Sequence, residues 1–149
     1  MAMYRVSATK VIAAPAARVY DLLADYREGH PSILPKAYFI SHTVEQGGRG
    51  AGTVVAFQMK LMGRTQSFRS TISEPEPGRV LVETVLSNGA VTTFTVEPRG
   101  DGQSAEVTIA TDTKVRDGIA GKVEGWMAAQ LLRPIYVKEL DQLAAVVAG

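Results

Sequence analysis

The chain has 149 residues and a mass of 16.0 kDa, within the range of one domain, and 46% of it is apolar against 21% charged. Sixteen Lys plus Arg against fifteen Asp plus Glu give a formal net charge of +1, so neither a phosphate-following basic protein nor an acidic tail is indicated. The absence of Cys excludes disulfides, thiolate metal sites and a cysteine nucleophile, and two His exclude a three-histidine metal site.

Residues Tyr4 to Ala13 alternate with Val6, Ala8 and Ile12 on one face, which predicts a strand. The stretch Val11 to Ala17 superficially resembles a signal peptide, but the apolar run is short, contains Pro15 and flows into a helical pattern. No apolar run approaches the ~18 residues of a membrane span, so a cytoplasmic location is expected. Pro15 fits a helix start, and Val19, Leu22, Leu23 and Tyr26 recur at helical spacing, giving a short amphipathic helix over 15–25. His30-Pro31-Ser32-Ile33-Leu34-Pro35 allows one short helical turn.

From 36 to 113 the chain is punctuated as a meander of antiparallel strands at 37–45, 52–61, 64–73, 79–87, 90–98 and 104–113. Asn88-Gly89 gives the strongest hairpin signal, a type I′ turn with φ > 0 at both residues. Alternation turns Val55, Phe57, Met59 and Leu61 inward, and likewise Phe68 with Ile72 and Val107 with Ile109. Strands 37–45 and 79–87 alternate too poorly for their faces to be assigned. From Val115 to Val147 the period becomes helical, with Ile119, Val123, Trp126 and Gln130 on one face and Val137, Leu140 and Ala144 continuing it. Gly118, Gly121 and Gly125 form a stripe of missing side chains, which serves either close helix-to-sheet contact or ligand space. Pro134 predicts a kink and a freed carbonyl at Gln130.

The order β, two short helices, six β, long helix predicts an α+β fold in one domain over 1–149, in which a seven-stranded curved antiparallel sheet wraps around the C-terminal helix. Ile12-Ala13-Ala14-Pro15 followed by Val19-Tyr20-Asp21-Leu22-Leu23-Ala24-Asp25-Tyr26 resembles the opening of the START-like, Bet v 1-like superfamily. Leu34-Pro35, the Gly48-to-Gly52 loop and the ending Glu139-Leu140-x-x-Leu143 fit the same pattern in order. The chain looks most like the polyketide cyclase/dehydrase and lipid-transport branch. It has some similarity to the coenzyme Q-binding branch, without that branch's aromatic residues before Leu-Pro. The resemblance implies a helix-grip fold with a deep apolar cavity between sheet and long helix, and no single activity.

For that cavity the sequence offers Phe57, Met59, Phe68, Phe94, Ile109, Val123, Trp126 and Gln130 as lining, with Gln66, Ser70, Thr92, Thr111 and Thr113 as further inward polar positions. These hydroxyls and amides orient a ligand rather than move protons. His30, near the expected cavity mouth, is the candidate general base, against the ordinary reading of an exposed loop histidine; His42 is weaker. Asp21 and Asp25 share a helix face but read as solvated, and Gly48-Arg49-Gly50-Ala51-Gly52 lacks the Lys-Ser/Thr ending of a phosphate loop. Lys and Arg interleave with acids, so no nucleic-acid stripe forms. No metal or cofactor is indicated. The leading expectation is binding, or transport, of a hydrophobic small molecule such as a polyketide, lipid or quinone. The alternatives are a cyclase/dehydratase-type enzyme using the same cavity and a protein-interaction module with an exposed apolar patch on the outer sheet face.

Overall fold

A computed structural model of the protein describes residues 1–148. Strand β1 (Ala2–Ile12) leads into helices α1 (Ala16–Ala24) and α2 (Gly29–Ile33). Six strands follow: β2 (Phe39–Gln46), β3 (Val54–Leu61), β4 (Arg64–Glu76), β5 (Val80–Val85), β6 (Val91–Arg99) and β7 (Ser104–Val115). Helix α3 (Gly118–Ala148) follows β7. All seven strands form one antiparallel sheet in the order β1-β7-β6-β5-β4-β3-β2, so the first strand pairs with the last and every other strand pairs with its sequence neighbour. The architecture is the α+β arrangement expected from the element order, and it is the helix-grip fold that the resemblance implies.

The type I′ turn lies elsewhere than predicted. Asn88 does not take positive φ; Gly89 does, and its N–H bonds to the Val85 carbonyl while Asn88 Oδ1 accepts from Ala90 N. A four-to-five-residue loop results, because the Asn side chain replaces the backbone partner a tighter turn would supply. Met62 and Gly63 instead have φ 53° and 77° between the paired residues Leu61 and Arg64, which is the two-residue connection that matches strand twist. Strand β4 also runs past its predicted end, through Pro75 to Glu76, with a register shift after Ser73 that accommodates the proline.

The core occupies the closed end of the grip, where Val19, Leu23 and Ile33 from the short helices meet Leu81, Phe94, Val96 and Ile109 of the sheet and Ile135, Leu140 and Leu143 of α3. The buried face of α3 differs from the predicted one. Gly121, Gly125, Ala129, Ile135, Tyr136, Glu139, Leu140, Leu143 and Val147 face inward, while Ile119, Val123 and Trp126 stand outward, Trp126 at 59% exposure. The glycines explain the reversal. A Cβ at Gly125 would sit 2.1 Å from the Tyr4 ring, and one at Gly121 would sit 1.5 Å from the Arg116 carbonyl oxygen. The helix backbone presses directly onto β1 and its own approach loop, so its bulky residues are turned to solvent. Helix α3 runs on through Pro134, which lies on its outer side beside Gln130 and Arg133.

Candidate functional site

A cavity of about 230 Å³ remains between the sheet and α3. Phe57, Met59 and Phe68 from β3 and β4, Phe94 from β6 and Ile109 from β7 line it as the alternation predicts, with Phe39 of β2 added. The Phe57 and Phe68 rings stack at 5.4 Å, making one flat aromatic wall. Val123, Trp126 and Gln130 are not part of this lining. The close approach at Gly125 turns the first two to solvent, and Gln130 borders the outer groove with Pro134. From α3 the wall is made by Ala128, Leu132, Tyr136 and Glu139. Ser70, Thr92, Thr111 and Thr113 line the chamber; Gln66 does not.

The register builds a polar row across this apolar space. Ile72 pairs with Glu83, Glu83 with Thr92 and Thr92 with Thr111, so Glu83, Thr92 and Thr111 lie side by side on the inner face. Thr92 and Thr111 hydroxyls are 2.7 Å apart, and Thr111 is also hydrogen-bonded to the Tyr136 hydroxyl on α3. Burial pushes the Tyr136 phenol up to about 12, so it stays a neutral donor. One row below, Leu81, Phe94 and Ile109 pair in sequence and seal the floor.

Helix α2 brings His30 to this row. The Asp25 carboxylate accepts backbone N–H bonds from Arg27, Glu28 and Gly29 and so anchors the start of α2. Desolvation works against that charge, but the three N–H groups and the nearby Arg49 hold its pKa below the ordinary value. The Gly48–Gly52 loop fixes the same corner: Tyr26 N donates to Gly48 O and Gly50 N to Ala24 O, both at 2.9 Å. Asp21 pairs with Arg49 on the outside, so neither aspartate approaches the chamber. Rather than lying exposed in a loop, His30 is 3% exposed, stacked on Tyr26 at 4.4 Å and edge-on to Phe94 at 5.2 Å.

The Leu23 carbonyl can only accept, so His30 Nδ1, 2.8 Å away, carries a hydrogen and Nε2 faces Glu83 Oε2 at 3.4 Å. Tyr26 donates its hydroxyl to the same oxygen at 2.7 Å, and burial followed by the Glu83 charge drives the Tyr26 phenol well up. His42 of β2 also borders the chamber; burial, then His30, lowers its pKa to about 4 and keeps it neutral. Glu139 enters from α3, 3% exposed, with no hydrogen bond or ion pair among the described residues. Desolvation and then the Glu83 charge raise its pKa well above the usual carboxylate range. Among described residues there is no cluster of three metal-ligating side chains. No described helix is long and apolar enough to cross a membrane.

Sequence reasoning missed Glu83 and Glu139. Glu83 lies in a strand with apolar residues on both faces, and Glu139 sits among the alternating charges of α3. The available signal for Glu139 was its position one residue before Leu140 and four before Leu143, inside the apolar arc of the helix.

The fold has close counterparts among solved structures. The KanY protein, solved by NMR, is 27% identical, covers 100% of both chains and superposes with a TM-score of 0.84. A START superfamily protein from Mycobacterium smegmatis is 17% identical over 97% of each chain, with a TM-score of 0.75. The Zhui aromatase/cyclase from Streptomyces is 19% identical over 97% of this chain and 93% of its own, with a TM-score of 0.73. No curated protein matches the sequence. The profile of one family, described as polyketide cyclase / dehydrase and lipid transport, matches residues 3–148. With nearly its whole length matched, the chain belongs to the polyketide cyclase / dehydrase and lipid transport family.

Proposed function

We propose that the protein is a single cytoplasmic domain that binds a small, flat, hydrophobic molecule between sheet and α3. The observation that carries this reading is the phenylalanine-walled chamber of about 230 Å³, a little below the ~300–1,000 Å³ of ordinary small-molecule sites. Its size suits a compact ring system rather than a long-chain lipid. Burying apolar ligand surface supplies on the order of 25 cal/mol per Å², and the polar row fixes orientation. Nile red, a neutral apolar dye, tests this. Its fluorescence is expected to rise on the folded protein and to be lost in Ala128→Phe, which fills the chamber from the helix side. Undiminished dye binding by a folded Ala128→Phe variant places the site elsewhere.

A second reading, cyclase- or dehydratase-type proton transfer in the same chamber, is supported by His30. Its Nδ1 is fixed on a backbone carbonyl, which leaves Nε2 as the proton-accepting atom beside the chamber. A carbon acid held against the Thr111–Tyr136 hydroxyls would have its carbonyl oriented while His30 takes the proton. Retention of dye binding together with loss of turnover in His30→Gln supports the enzyme reading. Unchanged turnover removes it.

A further inference from the structure

We propose that the chamber selects a hydrophobic amine, whose cationic head pairs with Glu139 while its ring system lies against the phenylalanine wall. This rests on the chamber being a ligand site and goes further by assigning the chemical class of the ligand.

Four observations converge on it. First, Glu139 is the chamber acid that has no partner among the described residues. Glu83 already accepts the Tyr26 hydroxyl on its Oε2, with His30 Nε2 3.4 Å away, whereas Glu139 has neither a donor nor a cation among the described residues. No Lys or Arg lines the space, and His42 is kept neutral. The titratable groups that line the space around Glu139 are thus His30 from α2, His42 from β2, Glu83 from β5 and Tyr136 from α3 itself, with Tyr26 behind Glu83. A carboxylate in a largely apolar cavity with no positive partner lacks the group that would repay its desolvation.

Second, Phe39, Phe57, Phe68 and Phe94 line the space. Aromatic faces attract a desolvated cation and give an anion nothing. Third, the Ser70 hydroxyl is buried on the β4 wall with no hydrogen-bond partner, although its residue lines the same chamber. Ser70 pairs with Val85, and Glu83 lies two residues back along β5, so the orphan hydroxyl stands one inner-face position, about 7 Å, from the polar row. A ligand that reaches from Glu139 towards Ser70 satisfies both groups. Fourth, the chamber offers carboxylates and phosphates no Lys or Arg and sets the Glu83 charge against them.

Binding therefore carries a proton signature. Desolvation raises the Glu139 pKa and so favours its protonated form before a ligand enters, and an ammonium beside it draws that proton off. A neutral ligand leaves it in place.

The test is isothermal titration near neutral pH with three matched probes: naphthalen-1-ylmethylamine, naphthalen-1-ylmethanol and naphthalene-1-carboxylate. Each is measured in two buffers of different ionisation enthalpy. The amine is expected to bind at least about tenfold more tightly than the alcohol, with a buffer-dependent heat that reports proton release. The carboxylate is expected to bind more weakly than both. In Glu139→Gln the amine preference and the proton release should vanish while alcohol binding persists, which also shows that the variant is folded. Equal affinities for amine and alcohol, or a preference that survives in Glu139→Gln, overturn the amine assignment and leave the apolar chamber standing. Failure of all three probes to bind overturns both the assignment and the binding function beneath it.

Discussion

The two halves of α3 solve the same packing problem in opposite ways. From Gly118 to Gln130 the inward face is Gly121, Gly125 and Ala129, and the bulky Ile119, Val123, Trp126 and Met127 point to solvent. From Leu131 onward the inward face is Ile135, Tyr136, Leu140, Leu143 and Val147, and side chains fill the space to the sheet. One half closes the grip by backbone approach onto Tyr4, the other by side-chain volume. The chamber lies where the two regimes meet, at Ala128, Leu132, Tyr136 and Glu139. The lesson is that a cavity can be placed by changing how a helix makes contact partway along its length, without breaking the helix.

The comparison can be attacked from either half. Leu143→Ala deletes a fully buried side chain from the volume-filling half and should destabilise the protein by about 2–5 kcal/mol, read from urea unfolding. Gly125→Val forces methyls into the Tyr4 ring in the backbone-contact half. A loss of about 1–3 kcal/mol is expected, together with altered dye binding as the helix is levered off β1. If Gly125→Val is silent, backbone approach does not set the position of the helix.

Glu139→Leu sharpens the boundary between the halves. In the wild type the folded state holds the Glu139 proton more tightly than the unfolded chain does. The stability linked to that proton is complete below the ordinary carboxylate pKa and is lost as pH rises to the raised folded value, with a slope of up to ~1.4 kcal/mol per pH unit. The leucine variant should lack this decline and be more stable at neutral pH. His42 works in the opposite sense. Its folded pKa is lowered to about 4, so its contribution is present above 6.5 and lost as pH falls towards that value. A constant stability difference between wild type and Glu139→Leu from mildly acidic to neutral pH would contradict the placement of Glu139. The smallest effect is expected for Trp126→Ser, within about ±0.5 kcal/mol and with no change in dye binding, because Trp126 is on the solvent side.

Most of the sheet was legible in the sequence, because strands with one wet face carry a clear alternation. Val55, Phe57, Met59 and Leu61 declare their side, and the cavity receives them. The strand around Glu83 does not, since Val80, Leu81, Val82 and Val85 crowd both faces and conceal an inward carboxylate between them. On α3 the largest apolar residues were the natural choice for the buried face, and they are on the wrong one. Hydrophobicity measures what gains from burial, whereas the deciding quantity at Gly125 is how near Tyr4 comes, a tertiary distance that no local pattern encodes. His30 illustrates the same limit. Its residue type marked it as a candidate, but its burial depends on the Asp25 anchor and the Gly48–Gly52 loop, which meet it only in the fold. The exposed apolar strip of Ile119, Val123, Trp126 and Met127 lies on the helix, whereas the protein-interaction alternative called for one on the outer sheet face.

The pairing of β1 with β7 has a consequence for the life of the chain before it is folded. Ala2 finds its partner only at Val115, so β1 waits for nearly the whole sheet to be synthesised. At ordinary translation speeds that interval is on the order of ten seconds, during which the inner aromatic wall has no helix over it. Such long-range closure makes for slow folding and an aggregation-exposed nascent chain. Chaperone demand during synthesis should therefore be concentrated before α3 emerges, and the aromatic wall that gives the chamber its ligand surface is also what the nascent protein must keep shielded.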